Sequence, residues 1–148
     1  MGWISLDSVA VGVSVGTWQE AVRAAGRLLV RGGAAEPRYI EAMLRTAEEL
    51  GPYVVLAPGL ALPHARPEDG ALEVGFSAIT LASPVEFGNP DNDPVRLVIA
   101  FCAPEPTAHL RSLSQLARVL EKPGFIEHAS SAQNEAELAA ILNGESLH

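Results

Sequence analysis

Apolar residues in the first third of the chain recur every three or four positions, which is the pattern of amphipathic helices. The first such run follows Thr17 and Glu20, whose T-x-x-E spacing is that of a capping box, and it stops at the glycine pair of residues 32–33. The second run begins after Pro37, a residue type that suits the first turn of a helix, and it stops at Gly51. The pattern therefore predicts two consecutive helices in this part of the chain.

The middle of the chain changes to short apolar runs separated by turn-forming residues, a pattern typical of strands. We expect strands over residues 53–57, 60–62, 73–81 with an edge continuation at 85–87, and 95–102. The segment 88–94 is dense in Gly, Asn, Asp and Pro and is predicted to be a loop. Because residues 95–102 are nearly all apolar, this strand is predicted to lie at the centre of the sheet, covered on both faces.

Helical periodicity returns after the last strand. Thr107 can cap a leucine-rich helix, and short helices are expected near Pro123 and at Asn134, where Asn134 and Glu137 repeat the capping-box spacing. No repeat or linker divides the chain. We therefore predict an α/β fold with a mixed β-sheet flanked by helices, a three-layer, sandwich-like single domain over residues 1–148.

Composition narrows the classes of partner. The 148 residues are 48% apolar and 19% charged, which is typical of a globular chain, and the net charge is −8 with a single lysine. A nucleic-acid-binding protein needs a basic face for phosphate contacts, and this composition does not supply one. We expect no nucleic acid as partner, but a small molecule or another protein.

Three further features of the sequence indicate the cellular compartment. No basic segment followed by an apolar block opens the chain, and its apolar runs are too short to cross a bilayer. The single cysteine, Cys102, excludes an internal disulfide and is compatible with a reducing compartment. We expect a cytoplasmic protein without direct membrane insertion.

Four histidines are the candidates for chemistry, and they differ in their surroundings. His128 and His148 are interpreted as solvated surface residues. His64 ends a strand, where Pro63 stiffens the backbone, and Arg66 follows within reach of an anion held at the imidazole. Ligands of open α/β sheets usually bind at strand ends. His64 is therefore either a functional residue or a histidine that hydrogen-bonds a turn carbonyl.

His109 lies two residues after Thr107, in the first turn of a predicted helix. The positive end of a helix favours an anion there and disfavours imidazolium, so His109 should stay neutral and could donate one N–H. An ordinary polar residue in a first turn is the alternative. If the sheet brings His64 and His109 together, one nitrogen can attack phosphorus while the other ring hydrogen-bonds the transferred group.

Other site types fit the sequence less well. No G-x-S-x-G elbow and no G-x-x-x-x-G-K-[ST] phosphate loop occurs. A zinc site from His64, His109 and Asp91 or Asp93, as in a metal-dependent hydrolase, lacks supporting ligand spacing. The loop at 88–93 does not complete a calcium-binding pattern, and Cys102 is interpreted as a core residue. We predict no metal and no cofactor.

Four segments carry a family resemblance, in matching order over roughly residues 17–143. The first is Ala-Pro-Gly-Leu-Ala-Leu-Pro-His-Ala-Arg-Pro-Glu-Asp-Gly at 57–70; the others are 87–95, 98–103 and His109-Leu110 with the helix that follows. They resemble the enzyme IIA domains of bacterial sugar phosphotransferase systems, in the mannitol/fructose class and especially its ascorbate-type branch.

The resemblance implies a phosphotransferase relay. His64 would accept a phosphoryl group from the phosphorylated histidine phosphocarrier protein and donate it to a IIB component, which serves a membrane IIC transporter; the sugar could be ascorbate. His109 would sit beside His64 and help to hold the group. The implied fold is a mixed sheet flanked by helices. A regulatory enzyme IIA-like module, in which phosphorylation of His64 is a signal, is the alternative.

One departure from the family pattern concerns the charge that would face the phosphoryl oxygens. Many members carry an Arg-Glu pair on the helix before the motif, whereas this chain has Arg45-Thr46 there. Arg66, which follows the histidine directly, is the physical substitute. Whether Arg45 or Arg66 serves as the clamp stays open at this point.

Overall fold

Five strands form one open sheet in the order β1-β4-β5-β3-β2 in a computed structural model, which describes residues 3–144. The strands are β1 Val9–Val13, β2 Val55–Ala57, β3 Leu60–Ala61, β4 Gly75–Val85 and β5 Val95–Cys102. The β1–β4 and β3–β5 pairs are parallel, and the β4–β5 and β2–β3 pairs are antiparallel. The predicted mixed sheet, with residues 95–102 as its central strand, is confirmed.

Helices cover both faces of this sheet. They are α1 Trp18–Arg31, α2 Arg38–Leu50, α3 Pro106–Leu120, α4 Phe125–Ser130 and α5 Glu135–Leu142, with short 3₁₀ turns at Leu6–Ser8, Gly51–Val54 and Pro67–Asp69. Apolar side chains of α1 and α2 form one core cluster with the sheet, and those of α3, α4 and α5 form a second cluster on its other face. The predicted three-layer α/β arrangement is confirmed. No helix within residues 3–144 is both long and apolar enough to span a bilayer.

Strand β5 divides its side chains between the two core clusters. Ala100 and Cys102 pack in the α1–α2 cluster, whereas Ile99 and Phe101 pack in the α3–α5 cluster, and all four are fully buried. This alternation is the two-residue period of a strand that is covered on both faces. It places the Phe101 ring on the side of the sheet where α3 begins.

Two of the three predicted helix caps are present in the structure. Thr17 and Asn134 accept hydrogen bonds from the backbone N–H three residues later, as their spacing predicts. The prediction that Thr107 caps the third helix is wrong, because α3 already begins at Pro106 and Thr107 lies inside its first turn. Proline suits the first helical position, since its φ is already helical and it lacks the N–H that would stay unpaired there. Glu105 precedes it and makes no side-chain cap.

Several strand bounds differ from the expectation. Residues 53–57 do not form one strand: a 3₁₀ turn that contains Pro52 runs through Val54, and β2 begins only at Val55. Strand β4 extends to Val85, which pairs with Val95 after a register shift that follows Thr80. Strand β1 was not predicted, because its short Val-Ala-Val-Gly-Val run pairs with a strand far away in the sequence and carries no turn signal of its own.

The predicted loop at 88–94 is held by one carboxylate. Asp93 accepts hydrogen bonds from the backbone N–H groups of Phe87, Gly88 and Asn89 at 2.9–3.0 Å. The Asn92 carbonyl accepts a further hydrogen bond from the N–H of Gly59, in the β2–β3 turn. These contacts fix the loop where the chain enters β5.

Candidate active site

His64 follows β3 at the point where the chain leaves the sheet, and its ring is half-buried. Its Nδ1 lies 3.0 Å from the carbonyl oxygen of Leu62. Because a carbonyl oxygen can only accept, Nδ1 carries the proton and donates it to Leu62. The other ring nitrogen, Nε2, therefore holds the free lone pair and is the nucleophilic atom of this imidazole.

His109 lies in the first turn of α3, and the structure brings its ring against that of His64. The two ring centroids are 5.4 Å apart, with an interplanar angle of 60°. The Nδ1 atom of His109 is buried and has no hydrogen-bond partner among residues 3–144. A buried N–H without an acceptor is costly, so the favoured neutral tautomer of His109 carries its proton on Nε2. His109 is thus able to donate one N–H from Nε2 to a group held at the site.

Both imidazoles rest on the ring of Phe101, at the end of β5. The centroid distances from Phe101 are 5.0 Å to His64, with the rings stacked, and 5.1 Å to His109. Phe101 itself is fully buried and stacks on Phe76 from the neighbouring strand. An apolar floor of this kind withholds water from one side of each imidazole.

Burial lowers the pKa of both histidines. For His64 the largest cause is desolvation, which the hydrogen bond to Leu62 opposes and the nearby His109 reinforces. For His109 the cause is desolvation alone. His109 was expected to be neutral because of the field at the helix start; its lowered pKa agrees with that neutrality, and burial contributes to it. Both rings are neutral at pH 7, which is the state required of a nucleophile and of an N–H donor.

A third side chain at the site, Tyr39, was not identified from the sequence, where it is one position of the second predicted helix. Tyr39 is 1% exposed, on α2, and its hydroxyl lies within hydrogen-bond distance of Ala65 and Phe101. Burial raises the pKa of this phenol, so it stays protonated. The sequence held no signal for this role, since the hydroxyl bonds to backbone atoms distant along the chain.

The two candidate arginines are both exposed. Arg66 immediately precedes the 3₁₀ turn that follows His64. Its backbone N–H donates to the Asp69 carboxylate, and its guanidinium forms no ion pair within residues 3–144. Arg45 lies six residues after Tyr39 on α2, which is about 9 Å further along the helix axis and about 120° around it. Arg66 lies two residues after His64 in the sequence. Arg45 projects from a different face of α2 than Tyr39, the residue of that helix that contacts the site.

The remaining candidates are His128, His148 and Cys102. His128 is exposed on α4, and His148 lies outside the described residues. Cys102 is fully buried, with burial raising the pKa of its thiol to about 12, so it is a core residue and not a nucleophile.

The zinc alternative does not fit the fold. Asp91 and Asp93 precede β5, whereas Phe101 and the two imidazoles lie at the opposite end of that strand, about 20 Å away at the rise of a β-strand. Across residues 3–144, no group of three or more His, Cys, Asp or Glu side chains is placed to hold a metal ion. The zinc site built from these aspartates is therefore wrong.

Residues 3–145 match the family model described as "Phosphoenolpyruvate-dependent sugar phosphotransferase system, EIIA 2". The chain belongs to this family. It is 38% identical over 137 residues to the ascorbate-specific PTS system EIIA component of Escherichia coli K12, a match that covers 92% of this chain and 89% of the relative. The resemblance seen in the sequence is confirmed.

Solved enzyme IIA structures agree with the fold. The solution structure of the mannitol-specific cryptic enzyme IIA of Escherichia coli is 34% identical, with a TM-score of 0.84 over 96% of both chains. The mannitol enzyme IIA of Escherichia coli in complex with phosphorylated enzyme IIB is 28% identical, with a TM-score of 0.82 over 96% of this chain and 98% of that one. The chain is thus an enzyme IIA component, a phosphotransferase relay protein of sugar transport.

Proposed function

We propose that this enzyme IIA carries its phosphoryl group on Nε2 of His64. The observation that supports this assignment is the hydrogen bond from Nδ1 of His64 to the Leu62 carbonyl, which leaves Nε2 with the lone pair. The lowered pKa of His64 keeps that lone pair available at neutral pH. The proposal takes residues 1–148 as one enzyme IIA domain.

Transfer between histidines needs placement more than covalent assistance from the protein. Nε2 of His64 attacks the phosphorus of an incoming phosphohistidine, and the phosphorus–nitrogen bond of the donor breaks with its electron pair returning to the donor ring. Positive charge develops on the His64 ring as the new bond forms. The Leu62 carbonyl, which accepts from Nδ1–H, stabilises that charge.

Two side chains contact the phosphoryl oxygens in this proposal. His109 supplies Nε2–H, and its ring is held beside that of His64 by their shared contact with Phe101. Arg66 supplies positive charge from the turn that follows the nucleophile. Neutral and exposed donors suit a relay, because a fully buried charged clamp would hold the group too tightly for onward transfer.

The partners follow from the family and its relatives. The histidine phosphocarrier protein is the proposed donor, and a IIB component coupled to a membrane IIC transporter is the proposed acceptor. The complex of a mannitol enzyme IIA with phosphorylated enzyme IIB supports the downstream partner. The identity to ascorbate-specific components supports ascorbate as the transported compound. The cytoplasm is the proposed place of the relay, and the single cysteine of the chain is compatible with its reducing conditions.

A labelling experiment tests this function. With phosphoenolpyruvate, enzyme I and the histidine phosphocarrier protein, the chain should gain one acid-labile phosphoryl group. His64→Ala should abolish labelling, and His109→Ala should still label but pass the group poorly to a IIB component. His128→Ala is the matched control, since it changes an exposed histidine on α4. Normal labelling of His64→Ala would show that the assignment is wrong.

The clamp and the regulatory alternative can be tested with the same components. Arg66→Ala should slow transfer in both directions, whereas Arg45→Ala should not; the reverse result would assign the clamp to α2. Onward transfer to a IIB component distinguishes the relay from a regulatory module, whose phosphohistidine would persist in the presence of that acceptor.

A further inference from the structure

One buried hydroxyl joins the two backbone segments that carry the site. The Tyr39 oxygen lies 3.0 Å from the backbone nitrogen of Ala65, the residue after His64, and 2.9 Å from the carbonyl oxygen of Phe101. A hydroxyl has one proton and can accept at its oxygen, so it accepts from the N–H of Ala65 and donates to the carbonyl of Phe101. The Ala65 carbonyl, at 3.2 Å, is the longer alternative acceptor.

This bridge lies where the pairing of β3 with β5 has stopped. The last paired residues are Ala61 and Val98, and the same register continued past them sets His64 opposite Phe101. Pro63 has no N–H with which to continue the ladder. The Tyr39 hydroxyl therefore replaces the missing strand-to-strand hydrogen bond at the level of the nucleophile.

The bridge also determines which surface the imidazole rests on. His64 stacks on the ring of Phe101 at an interplanar angle of 27°, and the carbonyl of that same Phe101 is the acceptor of the Tyr39 hydroxyl. Movement of the His64–Ala65 backbone away from β5 would separate the stacked rings and weaken the contact between Nδ1–H and Leu62.

We propose that Tyr39 is a positioning residue for phosphoryl transfer: its hydroxyl locks the backbone after His64 to that of Phe101, and so fixes the tautomer and direction of the His64 ring. The role rests on the proposed function, in which Nε2 of His64 is the acceptor. Tyr39 touches neither the imidazole nor the phosphoryl group and acts through the backbone alone.

Tyr39→Phe tests the proposal, because it keeps the buried ring and removes only the hydroxyl. We expect the kcat for transfer from the phosphorylated histidine phosphocarrier protein to fall about tenfold or more, with KM changed less than about twofold. On unphosphorylated protein, the ¹⁵N signals of the His64 ring should show a mixture of tautomers in place of Nδ1–H alone.

Ser77→Ala is the matched control. Ser77 is also a fully buried residue, and its hydroxyl donates to a backbone carbonyl, that of Ala25 in α1 at 2.8 Å, rather than to a backbone group of the site. It should lose stability while keeping the transfer rate and the His64 signals. Equal transfer rates in Tyr39→Phe and Ser77→Ala, or unchanged His64 signals in Tyr39→Phe, would overturn the proposal.

A second measurement decides the matter if Tyr39→Phe does not fold. In a Tyr53→Phe background, 3-fluorotyrosine labels Tyr39 alone, since the chain has two tyrosines. Phosphorylation of His64 should shift this ¹⁹F signal, and an unmoved signal would overturn the proposal. The proposed function and the role of Tyr39 can fail independently. If the proposed function is wrong, the wild-type protein gains no phosphoryl label on His64. The ¹⁵N signals of the His64 ring are measured without phosphate and test the role of Tyr39 alone.

Discussion

Replacing Phe101 by leucine removes the aromatic floor beneath both imidazoles while keeping an apolar side chain at the end of β5. Phe101 is fully buried and contacts three rings: those of His64, His109 and Phe76, at centroid distances of 5.0, 5.1 and 6.3 Å. The substitution therefore changes the packing of the site and the core together, and the two effects must be separated by a control.

The expected loss of stability can be worked out from these contacts. A volume-conserving apolar swap in a core usually costs less than about 1.5 kcal/mol, and truncation of a buried Phe to Ala costs about 3–5 kcal/mol. Leucine is smaller than phenylalanine, so this substitution falls between the two. Each aromatic pair contributes about 0.5–1.5 kcal/mol beyond its buried area, and pairs that share one ring do not add fully. We expect Phe101→Leu to lower the free energy of unfolding by about 2–3 kcal/mol.

The same change should raise the pKa of His64 toward its ordinary value. Desolvation is the largest cause of the lowered pKa, and a leucine that no longer covers the ring face admits water to it. Transfer from the phosphorylated histidine phosphocarrier protein should slow as the ring loses its fixed orientation. An NMR titration of the imidazole, urea unfolding and a transfer assay measure the three effects.

Phe76→Leu is the control for this prediction. Phe76 belongs to the same core cluster and packs on the rings of Phe101 and Trp3, at 6.3 and 5.0 Å, but it stacks on neither imidazole. It should lose comparable stability and leave the pKa of His64 and the transfer rate unchanged. If Phe101→Leu also leaves them unchanged, burial against this ring does not keep His64 neutral, and the reasoning is refuted.

Three further predictions concern pH, the loop and a helix cap. Because the pKa values of His64 and His109 are lowered, the rate of phosphorylation should stay constant as pH falls through the ordinary histidine range near 6.5. Stopped-flow labelling, with a control for the pH stability of the donor, measures this rate. A rate that decreases with the same pH dependence as the protonation of free imidazole would contradict the prediction. Between the lowered pKa values and about 6.5 the unfolded chain binds more protons, so the free energy of unfolding should decrease as pH drops there, and less steeply in His64→Gln. Asp93→Ala leaves three backbone N–H groups without their acceptor, and it should lower the free energy of unfolding in urea by about 2–4 kcal/mol. Asn134→Ala removes one helix cap and should lower it by about 1 kcal/mol. Equal losses of stability in the two variants would contradict the role of Asp93 in holding the loop.

Local features of the sequence predicted the elements that depend on neighbouring residues. The spacing after Thr17 and Asn134 located two helix starts, because a cap bonds to an N–H only three residues away. The apolar run at residues 95–102 located the central strand, because burial on both faces leaves few polar positions. Proline before His64 marked the place where the chain leaves the sheet.

Features that depend on distant pairing could not be predicted in this way. The Tyr39 hydroxyl reaches Phe101 across 62 positions of the chain, and no local pattern reports such a contact. The neutrality of His109 was expected from the helix start, but its burial, which also lowers its pKa, and its contact with Phe101 depend on the distant strand β5. Strand β1 was missed because its pairing with β4 joins residues such as Val9 and Ala78.

The site assignment depends on which nitrogen of which imidazole bonds to phosphorus. Protein with ¹⁵N-labelled histidine, phosphorylated by the histidine phosphocarrier protein, can be examined for coupling between ³¹P and the ring nitrogens. We predict coupling to Nε2 of His64, with Nδ1 of that ring still protonated and bonded to the Leu62 carbonyl. Coupling to Nδ1 of His64, or to a nitrogen of His109, would contradict the account.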